Sequence, residues 1–308
     1  MTSDKSSSPV IWRLSDGKAG HDTQSKGLAE ALNRLVRCDI FDISVAAKPL
    51  SIIDYIRKRF TPGAHIPAPN IIIAAGHSTH IPLLIAKRAR GGRIIVLMKP
   101  TLPISWFDYC LIPKHDHPPA RNNVVITTGA LNTVLHSTGH RPEKGLVLIG
   151  GPSRHFDWNI ESLIEQLQLL ITQQADIHWT ITDSPRTPDA TLVRISEQGW
   201  SNIDIIPFKA CDPVKLNGLY ADAGIIWVTE DSISMVYESL TSGAIVGLLE
   251  VPQKKESRVS LAMKSLIDEG LLTSFQHWRR TNKMQKPDYL INEADRCAEI
   301  LIQQGIFI

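Results

Sequence analysis

Short aliphatic runs alternate with segments of helical apolar spacing along almost the whole chain, and this restricts the fold more than any other feature. Strands are expected at 10–14, 39–43, 71–75, 93–97, 108–112 and 124–127. Between them, 23–35 puts Leu28, Ala31, Leu32 and Leu35 on one face, 51–60 is a second amphipathic helix, and 81–90 is a third opened by Pro82. A looser stretch, 129–144, rich in His, Thr, Gly and Pro, reads as a linker. The pattern then restarts, with strands at 145–149, 177–182 and 203–206, another ending near Val228, and one at 245–249. Helices are expected at 159–172, 187–198, 213–220, after Asp231 up to Gly243, at 259–269, and at 292–303. Strands joined through helices at this spacing predict parallel sheets covered by helices on both faces.

With 308 residues and 43% hydrophobic content, the chain is long enough for two cores. The expected division is 1–140 and 141–308, with the terminal helix near the interdomain region and ligands in a cleft at the carboxyl ends of both sheets. Residues 1–8 are polar and Ser-rich and read as a loose tail. A net charge of +2 is too mild to argue for nucleic acid. Cys38, Cys110, Cys211 and Cys297 form no C-x-x-C pair, which suits reduced thiols in a cytoplasmic protein. Neither a signal sequence nor an apolar run of about 18 residues is present. Peripheral membrane contact stays open, because Ile52, Ile53, Ile56 and Phe60 lie beside Arg57, Lys58 and Arg59. The favoured reading of that segment is a core-facing helix with a basic solvated face.

Three stretches carry candidate chemistry. After the first strand come Ser15, Asp16, Gly17, Lys18, Ala19, Gly20, His21, Asp22, Thr23 and Gln24. Two glycines allow close approach of an anion or sugar, and His21, Asp16 and Asp22 are candidate general bases. The alternative is that Asp22 only caps a helix. The second half opens on Gly150, Gly151, Pro152, Ser153 and Arg154, a candidate phosphate cradle or a plain tight turn. In V-T-E-D-S-I-S-M-V-Y-E, from Val228 to Glu238, Thr229, Asp231 and Ser232 stand at a helix start where a diphosphate could sit. Asp231 or Ser232 can cap that helix, and Glu238 lies where a ribose could present its hydroxyls; an ordinary βαβ unit would show the same pattern. Weaker candidates are His77, Ser78 and Lys99 beside the first-half strands. His77 with His80, and His115 with His117, lack a third metal ligand at known spacing, so no metal site and no cofactor are expected.

Across nearly the whole chain the motifs resemble those of the Elongated-Mitochondria fission family, bacterial branch. They are D-G-K-A-G-H-D-x-Q (16–24), A-A-G-H-S-T-H-I-P-L-L (74–84), V-L-M-K-P (96–100), L-I-P-K-H-D (111–116), T-G-A-L-N (128–132) and V-T-E-D-S-I-S-M-V-Y-E (228–238). The resemblance implies two kinds of role. Plant members are tied to mitochondrial division through a dynamin-like partner, and bacterial members carry a label as nucleoside-diphosphate-sugar enzymes. A wider similarity is to GT-B glycosyltransferases of the peptidoglycan N-acetylglucosaminyl transferase type. Gly17–His21 is similar to their first loop, Gly150, Gly151 and Ser153 to their donor-domain turn, and Glu238 with Gly243 to their ribose-binding Glu and following Gly. Asp16, Gly17 and Lys18 depart from that family's multi-glycine run.

The expected fold is thus α/β, two Rossmann-like doubly wound domains facing across a cleft, GT-B-like. The expected function is metal-independent transfer of a sugar from a nucleoside-diphosphate sugar to an unidentified hydroxyl acceptor. His21, Asp22 and Asp16 would be catalytic. Gly150, Gly151, Ser153, Arg154, Thr229, Asp231, Ser232 and Glu238 would hold the donor, and Gly17, Lys18, Gly20, His77, Ser78 and Lys99 would face the acceptor. The alternatives are a nucleotide-sugar epimerase on the same fold and a non-catalytic scaffold recruiting a dynamin-like partner.

Overall fold

The computed structural model describes residues 8–46 and 50–307, so most of the expected N-terminal tail lies outside the described residues. The chain divides into two compact units, one of Met1–Thr133 with Asn292–Ile308 and one of Val134–Ile291.

In the first unit the order is β1 (Val10–Ser15), α1 (Ala19–Leu35), β2 (Asp39–Ser44), α2 (Ile52–Ile56), β3 (Ile71–Ala75), α3 (His80–Arg90), β4 (Arg93–Leu97), β5 (Tyr109–Pro113) and β6 (Val124–Thr127). These strands form a parallel sheet in the order β2-β1-β3-β4-β5-β6. Alternate side chains go to opposite faces. Ile11, Ile71, Ile73, Ile95 and Leu97 pack with Leu28 and Leu32 of α1 on one face. Trp12, Leu14, Ile72, Ala74, Ile94 and Val96 pack with Leu83 and Ile85 of α3 on the other. That two-sided burial is why β3 reads as an unbroken aliphatic run.

The second unit runs β7 (Arg141–Leu148), α4 (Ile160–Gln173), β8 (His178–Thr182), α5 (Ala190–Ser196), β9 (Ile203–Ile205), α6 (Pro213–Asp222), β10 (Ala223–Thr229), α7 (Ile233–Ser242), β11 (Ile245–Leu249), α8 (Arg258–Asp268), β12 (Thr273–Ser274) and α9 (Phe275–Thr281). Its parallel sheet has the order β12-β11-β10-β7-β8-β9. Asn159 and Asp212 cap α4 and α6 through their side chains, and Gly243 ends α7 in the left-handed conformation at φ +90°. Both units are Rossmann-like, doubly wound α/β structures.

The last helix, α10 (Glu293–Gln303), belongs to the first unit and packs along α1. Ala294, Cys297, Ala298, Leu301 and the following Ile306 complete the core beneath α1. Burial pushes the Cys297 thiol up to about 12, which makes it a packing group. The expected division at 140/141 therefore moves to 133/134, and 292–308 does not stay with the second unit. Its apolar stripe finds its complement in α1, and Arg34 of α1 pairs with Asp295.

Two further expectations change. Helix 51–60 shrinks to α2, closed by Lys58 in the left-handed region at φ +51°. It does not face the core. Ile52, Ile53 and Ile56 are exposed, and only Phe60 turns inward, stacking on Trp12 at 5.8 Å. The β12–α9 segment was not anticipated. It delivers Phe275 and Trp278 against Trp227 of β10.

Candidate functional site

In an open parallel sheet, two neighbouring strands whose connections leave in opposite directions leave room at their carboxyl ends. The first sheet reverses between β1 and β3, the second between β7 and β10. The polar loops after those strands carry most of the candidate residues.

In the first unit the loops after β1 and β3 join around Asp16. Its side chain is 5% exposed. The carboxylate receives the Ser78 hydroxyl at 2.5 Å, the Lys18 backbone N–H at 3.3 Å, and His21 Nδ1 at 3.1 and 3.0 Å to its two oxygens. Burial works to raise the Asp16 pKa, but the bonds from Ser78, His21 and Lys18 outweigh it and hold the carboxyl below its ordinary value. An ionised carboxylate on Nδ1 fixes the imidazole tautomer, so that Nδ1–H donates and Nε2 carries the free lone pair. Lys18 Nζ lies 3.7 Å from the same carboxylate. Gly76 ends β3 at φ +85°, and a Cβ there would sit 2.1 Å from the His21 ring. Only glycine lets the strand end pass that close to the imidazole.

Gly17 makes the turn at φ +80°, and Gly20 is exposed on the first turn of α1. Asp22 is not part of the dyad's hydrogen bonding; its carbonyl accepts from Arg13 and Ser25. Arg13, unnoticed in the sequence, is buried and holds Asp42 through two bonds of 2.6 and 2.8 Å, anchoring the helix start. His77 is exposed beside Ser78. His80 is a core residue, edge-on to Phe107 and bonded to Thr101; burial and then His77 lower its pKa. Lys99 donates to the Asp116 carbonyl at 2.9 Å and serves as a strut between loops. Among the described residues, no group of three His, Cys, Asp or Glu side chains is placed to hold a metal ion.

In the second unit the Gly150–Gly151 turn is closed from within. Gly150 N–H donates to Thr229 Oγ1 at 2.7 Å and Gly151 N–H to Asp231 Oδ2 at 3.0 Å. Both donors are spent, so these glycines do not form a phosphate cradle with free amides. They are small because a Cβ would lie 2.3 Å from Asp231 Oδ2 at Gly150 and 2.2 Å from the Arg186 carbonyl at Gly151. The Asp231 side chain is fully buried, and Arg186 reaches it at 2.8 Å while also donating to the Gly151 carbonyl at 2.9 Å. Asp231 therefore holds the loops together and does not cap α7; Ser232 stands at the N-cap position but makes no side-chain capping bond. Thr229 is likewise buried.

Ser153 folds its own turn, accepting from the N–H groups of His155 and Phe156. Arg154 is exposed. What the unit offers an anion is thus the start of α7 beside Ser232, with the half-exposed guanidinium of Arg186, which reaches Asp231 just before it. Arg186 follows β8, the strand beside β7. Its place at the carboxyl end of a strand flanking the switch point is the signal in the sequence that marks it.

Glu238 sits five residues before Gly243 on α7, half-buried, and accepts from the Tyr220 hydroxyl at 2.9 Å. Burial raises its pKa to about 7, against the opposing effect of that hydrogen bond. Tyr220, buried at the end of α6, was not anticipated as its partner.

The fold is α/β and GT-B-like, with two Rossmann-like units. A Listeria monocytogenes structure assigned to the UDP-N-acetylglucosamine 2-epimerases is similar at TM-score 0.61 and 11% identity, covering 97% of each chain. The Neisseria meningitidis UDP-GlcNAc 2-epimerase bound to UDP-GlcNAc is similar at TM-score 0.53 and 8% identity, over 96% of this chain and 99% of that one. Phytolacca americana UGT2, complexed with UDP-2-fluoroglucose and pterostilbene, gives 0.52 and 9%, over 96% and 90%. The chain belongs to the mitochondrial fission ELM1 family, which matches residues 19–304. A curated relative, uncharacterized protein RP120 of Rickettsia prowazekii, is 24% identical, over 94% of this chain and 97% of its own length.

Proposed function

We propose that the protein is a glycosyltransferase that moves a sugar from a nucleoside-diphosphate sugar to a hydroxyl acceptor without a bound metal. The observation that carries this reading is the Asp16–His21 dyad at the switch point of the first sheet. Nε2 of His21 takes the proton of the acceptor hydroxyl as its oxygen bonds to the anomeric carbon, and the bond from that carbon to the diphosphate oxygen breaks. Asp16 stabilises the imidazolium that results. The departing diphosphate keeps the electron pair; within the second unit, the start of α7 and Arg186 are the groups suited to a diphosphate's charge. Glu238 accepts from the ribose. The sugar nucleotides bound to the Neisseria and Phytolacca proteins of like fold support this choice of donor.

The test is a thermal-shift titration with UDP, GDP, CMP and ADP, followed by turnover assays on the nucleotide that binds. A bound nucleotide raises the midpoint with concentration over Kd, whereas no response to any of the four overturns the reading. Conversion of the donor sugar without any acceptor would select the epimerase alternative. A cellular phenotype unchanged by His21→Ala and Glu238→Ala would select the scaffold.

A further inference from the structure

We infer that the α2 face of the first unit docks on an anionic lipid bilayer. Every residue of α2 is at least partly exposed, yet its sequence is Ile-Ile-Asp-Tyr-Ile. Ile52 is 68% exposed, Ile56 67% and Ile53 54%. Ile81 at the start of α3 and Trp106 add exposed apolar surface, and a groove of about 630 Å³ runs between Ile52, Tyr55, Ile81, Leu84 and Trp106. A lone exposed isoleucine needs no explanation; several on one short protruding helix mark a surface that something covers.

Charge identifies what covers it. Arg57, Lys58 and Arg59 follow directly and are exposed, and the Arg88 guanidinium lies 4.7 Å from the Tyr55 ring centre. Lys87 adds nothing, because Asp108 holds it at 2.7 Å. Residues 51–61 carry three cations and one acid, Asp54, a net +2 that equals the charge of all 308 residues. Asp54 is tied to the Ser51 N–H and hydroxyl at the helix start. Aliphatic side chains that protrude beside exposed Arg and Lys outnumbering the one acid, with a Trp at the margin, suit the boundary between headgroups and acyl chains. A second copy of the same face would set cations against cations across a two-fold axis, which disfavours a dimer. The inference stands apart from the sugar-nucleotide reading and needs no activity to test.

The experiment is flotation of the full-length protein with phosphatidylcholine vesicles, with and without phosphatidylglycerol. Binding is expected with the anionic vesicles alone, weakening as salt rises. Combined Ile52→Ser, Ile53→Ser and Ile56→Ser changes, and separately Arg57→Glu with Lys58→Glu, each reduce the bound fraction about tenfold or more. Val214→Ser, an exposed aliphatic site in the second unit, leaves it unchanged. All these positions are exposed, so thermal midpoints stay near wild type. No flotation, or flotation unaffected by both sets of changes, overturns the inference. So does a dimer in sedimentation equilibrium that the isoleucine changes abolish.

Discussion

Gly76 tests the dyad without touching its chemistry. A Cβ there collides with the His21 ring, so Gly76→Ala displaces the imidazole while the sheet persists. Its kcat is expected to fall by at least about tenfold with little change in donor KM, and Asp16→Asn, which loses the tautomer control, falls further. Measured rates equal to wild type in both would remove the dyad from the reaction. Glu238 gives a second outcome. Its folded pKa of about 7 lies above the ordinary 4.5, so the native state holds its proton more tightly than the unfolded chain. The stability this group contributes is complete below about pH 4.5 and is lost as pH rises through about 7, a change on the order of 3 kcal/mol. Glu238→Gln flattens that part of the denaturation profile, read by urea midpoints from pH 4 to 8. A ribose that donates to Glu238 favours its ionised form, so nucleotide affinity rises toward pH 7 in the wild type and not in the variant.

Elements differ in how much of them shows locally. The aliphatic run of β3 gives itself away because its burial is complete, and the stripe of α1 because Leu28, Ala31 and Leu32 are buried at helical spacing, although Leu35, expected on the same face, is exposed at the helix end. The length of α2 does not, since nothing in Ile52–Phe60 announces that the backbone turns left-handed at Lys58. Helix α10 was legible as a helix, with Asn292 at its start, but its partner was not. Because Leu301 is fully buried beneath α1, Leu301→Ala is expected to cost about 2–5 kcal/mol. Hydrogen exchange should accelerate in α1 and the first sheet while β7 and β10 keep their protection.

At the scale of the whole molecule, the first unit is discontinuous and the second is not. A chain of residues 134–291 alone is expected to unfold cooperatively, whereas 1–133 alone does so only when 292–308 is joined to it. Circular dichroism melts of the three fragments decide this, and a cooperative 1–133 would refute it. Fold class and the loops bearing the candidate site were written in the sequence, since strand and helix periods and turn residues act over a few neighbours. Partner choice was not. Ser78 lies 62 residues from Asp16, Arg186 45 from Asp231, and Asp231 80 from Gly151. Whether a glycine amide is free for a ligand, or an exposed-looking isoleucine is covered, depends on which strands lie side by side. Only packing of the complete chain fixes that, because burial is a property of the assembled sheets and not of any single segment.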